Sequence, residues 1–290
     1  MSDLVQGLVI AHLGQGIAVE YQAQLYLCQT LRKLETVVVG DKVLISINGA
    51  NQGRIETLLP RRSVLLRPAR GDKARPVAAN LDSVFIVFAT EPRCDFLLLD
   101  QYLAVCEQYN IACALVLNKT DLEIPDDIEQ ELAIYSGLGY PLYRVSAKEN
   151  SGLNQLKQDL SHQVSIFTGQ SGVGKSSLTN VLIPDKELKT NTISATTKHG
   201  RHTTTAATLY HLPNGGDLID SPGVAIFGLA NLSEPQLAQG YREFQDLIGQ
   251  CRFNDCRHFS DKDCAVRLAA ENGEISSNRY QRFLKLCGKM

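Results

Sequence analysis

The sequence has no apolar run approaching the roughly 18 residues that a bilayer-spanning helix needs. Its first residues, Met1-Ser2-Asp3-Leu4-Val5-Gln6, lack the basic segment and apolar stretch of a secretory leader. Both absences argue against membrane insertion and export, so a cytoplasmic protein with no membrane partner is expected. Net charge is nearly absent: 29 Lys and Arg stand against 31 Asp and Glu, giving −2. Taken whole, that balance excludes a strongly basic nucleic-acid binder and an acidic disordered chain. Internal repeats and low-complexity tracts are missing too. Evenly spaced cysteines are also lacking, which argues against a disulfide framework: Cys28, Cys94, Cys106, Cys113 and Cys287 are scattered and read as buried small hydrophobes, whereas Cys251, Cys256 and Cys264 cluster.

What is present is a chain of 290 residues, 44% hydrophobic, long enough for two or three domains. Counted by segment, the charge is uneven. Residues 1–75 carry 10 basic and 6 acidic side chains, residues 76–250 carry 11 and 20, and residues 251–290 carry 8 and 5. Two basic ends flank an acidic middle. Domains are expected at 1–75, 76–235 and 236–290.

From Gly7 to about Val64, β-rich runs (Leu25–Cys28, Thr36–Val39, Val43–Ile47) alternate with Gly-containing turns, which predicts a small β-barrel. From Arg54 to Arg75 the chain is basic, through Arg54, Arg61, Arg62, Arg67, Arg70, Lys73 and Arg75. This stretch is either a solvated linker or a surface for a phosphate backbone. Beyond Pro76 the continuous apolar runs Ser83–Phe88 and Ile111–Leu117 suit strands buried on both faces, with Leu98, Tyr102 and Cys106 at helical spacing between them. A helix bearing Leu153, Leu156 and Leu160 and a strand near Val164–Phe167 come next, giving an α/β domain with a mostly parallel sheet. Within Ile275–Leu286, Tyr280, Phe283 and Leu284 fit an amphipathic helix that bears Arg279, Arg282 and Lys285.

Gly169-Gln170-Ser171-Gly172-Val173-Gly174-Lys175-Ser176-Ser177 matches the phosphate-loop pattern, after a strand and before an apolar-periodic helix. Its glycines let backbone N–H groups close on phosphate oxygens. Lys175 would reach the β- and γ-phosphates as a binding and catalytic group, and the Ser176 hydroxyl would ligate Mg²⁺. Asn118-Lys119-Thr120-Asp121 succeeds the strand ending at Leu117, where open α/β sheets place ligands. A carboxylate at Asp121 can accept from the N1–H and exocyclic amine of guanine, and adenine offers no such pair, so GTP is preferred over ATP. Ser146-Ala147-Lys148, after the strand expected over Leu142–Val145, resembles the loop whose backbone N–H contacts guanine O6 in GTPases. Asp220-Ser221-Pro222-Gly223 would hold Mg²⁺ through water at Asp220 and sense the γ-phosphate at the Gly223 N–H. A Thr within Thr196–Thr205 would complete the metal shell, with Thr204 favoured among several. The residue after the last motif is Val224, which cannot orient an attacking water, so slow intrinsic turnover and acceleration by a partner are expected. His202 is the candidate for that role, and equally an exposed loop histidine or a nucleic-acid contact.

The order of these motifs is unusual, since Asn118 precedes Gly169 by 51 residues. Circular permutation explains it: joining the old termini and cutting elsewhere keeps the site intact. Cys251-x4-Cys256-x-His258-x5-Cys264 offers three thiolates and an imidazole, a full tetrahedral set, and predicts one structural zinc per chain.

With barrel, permuted nucleotide motifs and zinc pattern in this order, the chain resembles the RsgA (YjeQ) family of circularly permuted GTPases that assist maturation of the small ribosomal subunit. The resemblance runs through Pro76–Asp82, the NKTD and GQSGVGKSS strings, HTTT, DSPGV, the zinc pattern and Arg279-Tyr280. It implies an N-terminal OB-fold, GTP hydrolysis to GDP and phosphate coupled to binding of the 30S subunit and its 16S rRNA, and zinc held by Cys251, Cys256, His258 and Cys264. A monomer is expected. Two departures stand out: many relatives carry a basic extension before the first strand, and Ala225-Ile226 succeeds DSPGV where relatives often have charged residues. Contact with the subunit through that extension is therefore not expected, and coupling of the switch to the ribosome is expected to differ. The competing readings are a non-hydrolytic nucleic-acid-binding protein regulated by guanine nucleotide, and an ATP-using phosphate-loop enzyme, which Asp121 argues against.

Overall fold

Five N-terminal strands rich in Val, Ile and Leu close into a barrel through pairing of the first with the fourth. The computed structural model describes residues 4–68, 74–186, 207–221 and 232–288. Strands β1 (Val5–Leu13), β2 (Gly16–Tyr21), β3 (Gln24–Thr30), β4 (Lys42–Gly49) and β5 (Gln52–Leu58) pair in the circuit β1-β2-β3-β5-β4-β1, with only β3–β5 parallel. This is an OB-like closed barrel, and closure removes the exposed edges that an open five-stranded sheet would leave. Val9, Ile17, Val19, Cys28, Val43, Ile45 and Ile55 fill it.

Two expectations from the sequence change here. Thr36–Val39 forms no barrel strand despite its β-branched run. Its polar groups are claimed by Asp41, which accepts from the Val38 N–H at 2.7 Å, and by Arg61, which bonds the Thr36 carbonyl at 2.6 Å, while Val39 makes a single bridge to Ala78. Arg54 belongs to β5 rather than to a linker, and further along the basic stretch β6 (Val64–Pro68) and β7 (Ala74–Ala79) pair as an antiparallel hairpin. Arg54, Arg61 and Arg62 are already engaged, with Glu56, Asp41 and Asp82 respectively.

The second layer system is a sheet of β8 (Ser83–Phe88), β9 (Ala112–Leu117), β10 (Leu142–Arg144), β11 (Val164–Thr168), β12 (Thr208–His211) and β13 (Asp217–Asp220), in spatial order β10-β9-β8-β11-β13-β12. Only β12 runs antiparallel to its neighbour. Every residue of β8 is buried. Period-2 alternation sends Val84, Ile86 and Phe88 to one face, with α1 (Phe96–Gln108) and α2 (Asp126–Gly137), and Phe85 and Val87 to the other, with α3 (Leu153–Leu160) and α4 (Lys175–Leu182). The phosphate-loop strand β11 sits between β8 and β13 although three strands of its sheet precede it in sequence. The permuted motif order thus still builds one sheet.

The barrel and this sheet are continuous, because Ala11 of β1 pairs with Thr208 of β12. His211 reinforces the joint: one ring nitrogen lies 2.6 Å from Asp217 and the other 2.9 Å from Glu20 of the barrel. These hydrogen bonds, the Asp217 one foremost, push its pKa up to about 10, so the ring is charged at neutral pH.

The C-terminal module holds α5 (Glu234–Gln239), α6 (Gln245–Ile248), α7 (Ala265–Glu271) and α8 (Ser277–Leu286). A Ser233/Gln236 capping box starts α5, and Ser276 caps α8. Tyr241 stacks on Phe244 and both meet Phe283 edge-to-face, at ring separations of 4.9–5.5 Å, and Ala104 of α1 joins their cluster. Of the scattered cysteines Cys28, Cys94, Cys106 and Cys113 are buried, while Cys287 is only partly so.

Candidate nucleotide-binding site and metal cluster

The strands of the permuted sheet bring their carboxyl ends to one edge, and the loops that leave it carry the nucleotide motifs. Gly169 to Gly174 link β11 to α4. Gly174, the N-cap of α4, has φ +91°, and a Cβ there would stand 2.3 Å from Asn118 Nδ2. Gly169 has φ +130°, and its Cβ would stand 1.9 Å from the Val87 carbonyl oxygen. Backbone alone fits both positions. No side chain caps the first N–H groups of α4, which leaves them, with the helix dipole, facing the loop. Ser171, Ser176 and Ser177 are at least partly exposed at this mouth, while Val173 is buried beneath it. Lys175 Nζ donates to the carbonyls of Gly169 and Gln170 at 2.7 and 2.6 Å. Burial lowers its pKa from the ordinary lysine value, and the Asp220 charge opposes that shift.

Asn118 is buried and works as a staple between loops. Its Nδ2 donates to the Val173 carbonyl at 2.9 Å and its Oδ1 accepts from the Ala147 N–H at 3.1 Å. The motif beginning at Asn118, the phosphate loop and the Ser146–Lys148 loop therefore share one side chain. Lys119 (φ +63°) bonds the carbonyls of Gly172 and Glu91 at 2.9 and 2.7 Å, and the Thr120 N–H bonds the Val145 carbonyl. Asp121 accepts from the Ser146 hydroxyl at 2.6 Å and from Lys148 Nζ at 3.3 Å. The Ser146 bond foremost holds its carboxyl below the usual carboxylate range. It is a charged acceptor at neutral pH.

Asp220 ends β13, with Lys186 Nζ 2.5 Å from its Oδ2. Ser176 and Asp220 offer the hard oxygen donors that suit Mg²⁺. His202, Thr204, Gly223 and Val224 lie outside the described residues, as do Thr196–Thr205 and Ala225-Ile226. Three positions escape the motif reading: Glu91, whose carbonyl holds Lys119; Asp95, whose N–H bonds Gln170 Oε1 at 3.2 Å; and Lys186. Backbone groups carry two of these contacts, so no side-chain pattern could have announced them.

Substituting Gly174 tests the cradle. Gly174→Ala combines a left-handed backbone with collision against the Asn118 staple, together a few kcal/mol. Titration with a fluorescent GDP analogue is expected to show affinity reduced on the order of 100-fold. A loss below about three-fold would contradict the geometry.

In the C-terminal module the ligand atoms of Cys251, Cys256, His258 and Cys264 all lie within 4.8 Å of one another, the one such group among the described residues. His258 Nδ1 is 3.6 Å from both Cys251 Sγ and Cys264 Sγ. Cys264 is also the N-cap of α7 and accepts from the Arg267 N–H, a bond that opposes the upward push of burial on its thiol. Tyr280 OH donates to the His258 carbonyl at 3.0 Å, tying the cluster to α8. Three sulfurs and one nitrogen converging at this spacing can hold a zinc ion.

Comparison with known proteins agrees with this architecture. Residues 58–230 match the RsgA GTPase family. The small ribosomal subunit biogenesis GTPase RsgA of Hahella chejuensis is 42% identical over 289 residues, covering 97% of this chain and 83% of the relative. The protein of the same name from Chromohalobacter salexigens is 44% identical over 284 residues, covering 96% and 84%. Among solved structures, YjeQ from Thermotoga maritima superposes with a TM-score of 0.80 at 32% identity, covering 99% of this chain and 98% of its own. YloQ, described as a circularly permuted GTPase, gives 0.76 at 25% identity, with 99% and 95% covered. On fold, motif geometry and relatedness together, the chain belongs to the RsgA GTPase family.

Proposed function

We propose that this GTPase binds the small (30S) ribosomal subunit and its 16S rRNA, assists late maturation, and couples hydrolysis of GTP to GDP and phosphate to its release, the subunit stimulating turnover. The observation that carries this reading is the Asn118 staple, which holds a charged guanine acceptor, Asp121, and a phosphate cradle in one rigid unit. The names of the relatives support the ribosomal partner.

In this reading Asp121 selects guanine, the Ala147 region meets O6, and Lys175 with the α4 N–H groups neutralises the phosphates. Bound Mg²⁺ would polarise the β- and γ-phosphates. Ser176 would ligate it, Asp220 would hold its water shell and Thr204 would complete the set, while Gly223 would sense the γ-phosphate. His202 stands in for the missing water-orienting side chain. Zinc at Cys251, Cys256, His258 and Cys264 is structural, one per chain, because the four protein ligands leave no open position. The working units are 1–75 for RNA contact, 76–235 for the nucleotide and 236–290 for zinc, in a cytoplasmic monomer. Among the described residues no helix is long and apolar enough to cross a membrane.

Steady-state hydrolysis with and without purified small subunits, with ATP as control nucleotide, tests this directly. Slow turnover alone and stimulation by at least about ten-fold, specific to GTP, is the expected result; an arginine-finger-type partner contribution can reach far higher. Absence of stimulation would sink the ribosome coupling, and ATP preference would sink the assignment of Asp121.

A further inference from the structure

The nucleotide motifs leave one charged contact in the site unexplained. Lys186 lies shortly beyond α4, outside every motif, yet its Nζ stands 2.5 Å from Oδ2 of Asp220. The pair is sheltered, with side-chain exposures of 19% and 26%, and the ammonium also lies 5.6 Å from the centroid of the Tyr210 ring. Lys175 feels the same carboxylate from the phosphate-loop side. Asp220, at the end of β13, thus has one lysine in direct contact and a second within electrostatic reach.

We propose that Lys186 is a positioning residue: an internal counter-ion for Asp220 that the nucleotide-bound Mg²⁺ has to displace. The inference rests on the reading of Asp220 as the carboxylate of the metal's water shell. An ammonium is a compact point charge. Placed on an oxygen of that carboxylate, it competes with the metal's water for the acceptor and repels the dication. The charge of Lys175, which this carboxylate also influences, adds to that repulsion. Loading the metal requires Lys186 to leave Asp220 or to remain at an electrostatic cost. Either way the pair lowers the affinity of the nucleotide complex for Mg²⁺ and ties the position of residue 186 to metal occupancy.

The test is the dissociation rate of a fluorescent GDP analogue from the full chain, measured against free Mg²⁺ set with EDTA. In Lys186→Met the half-saturating Mg²⁺ is expected to fall about five- to ten-fold, while Lys186→Arg, which keeps the charge, stays near the starting protein. Lys186→Gln provides a second neutral variant if the Met form folds poorly, as judged by thermal melting in EDTA. Asp220→Asn separates the two layers of the argument. It is expected to raise the Mg²⁺ requirement, and no change there would defeat the reading of Asp220 and the Lys186 proposal with it. A raised requirement in Asp220→Asn, combined with an unchanged or raised one in the neutral Lys186 variants, would overturn the Lys186 proposal alone.

Discussion

Asp100→Ala is expected to lower stability by about 3–5 kcal/mol, because it leaves buried guanidinium groups short of their counter-charge. Asp100 lies on α1, fully buried, and accepts from Arg279 through Oδ1, from Arg282 Nε at 2.5 Å through Oδ2, and from Tyr135 OH at 2.7 Å. Arg279 is 1% exposed, stands over the Tyr135 and Tyr241 rings, and also pairs with Glu243. Arg282 continues to Glu131 of α2 at 2.8 Å. Burial disfavours each of these charges singly, and mutual pairing holds them. Three carboxylates around two guanidiniums thereby lock α8 of the C-terminal module onto both helices on one face of the GTPase sheet. Urea denaturation of the metal-loaded protein measures the loss, and a change below about 1 kcal/mol would show the network to be dispensable. Replacing Asp100, Arg279 and Glu243 together by apolar residues of similar volume, which leaves Arg282 its partner Glu131, is expected to recover much of it, since buried ion pairs stabilise little over a packed apolar equivalent.

That network shows what the sequence leaves unsaid. Periodicity reports which side of an element avoids water, and it placed β8, α1, α3 and α8 correctly because Ser83–Phe88 and the leucines of α3 answer only to burial. Motif spacing singled out Asp121, Lys175 and the Cys-His cluster, and the fold joins the loops of the first two through Asn118 and gathers the four ligand atoms of the third within 4.8 Å. Arg279 and Arg282 read in sequence as the polar face of an amphipathic helix at a basic end of the chain. The fold spends them internally, and Arg252, Arg257 and Arg267 pair with Asp263, Glu234 and Glu271. The local charge of residues 251–290 is thus mostly answered by acids within the fold, several of them distant in sequence, so it is weak evidence for a nucleic-acid surface. Asn118 is a similar case: its motif identifies the loop, but its bonds to Val173 and Ala147 depend on tertiary approach across 55 and 29 residues. Thr36–Val39 misled for the converse reason. Strong β-propensity was overridden by Asp41 and Arg61, which supply the hydrogen bonds a neighbouring strand would have made.

Removing zinc is expected to unfold residues 251–264 while leaving the nucleotide site loaded. Within that stretch only His258 and Cys264 are buried; Phe253 and Phe259, the residues best able to form an apolar core, are 46% and 42% exposed. A segment with so little apolar burial cannot offset its own ordering entropy, and a bound metal worth ~10–16 kcal/mol in zinc-finger peptides can. The adjoining helices are held otherwise, α8 by the Asp100 network and α5 by its packing against α1 at Ala104 and Gly240, where a Cβ would stand 2.7 Å from the Ala104 carbonyl oxygen. A strong chelator, or Cys256→Ala, should therefore expose Arg252, Arg257 and Lys262 to trypsin and drop metal content from the proposed one zinc per chain, with GDP-analogue affinity changed by less than about three-fold, because the cluster bonds to α7 and α8 whereas the Asn118 staple joins loops of the GTPase sheet. Zinc-free protein that keeps this segment protease-resistant would mean that the cluster is held by packing after all. The Asp100 network and the proposed metal thus have different tasks in one module: the ion pairs fix where α8 sits, and zinc would give the loop before α7 its interior.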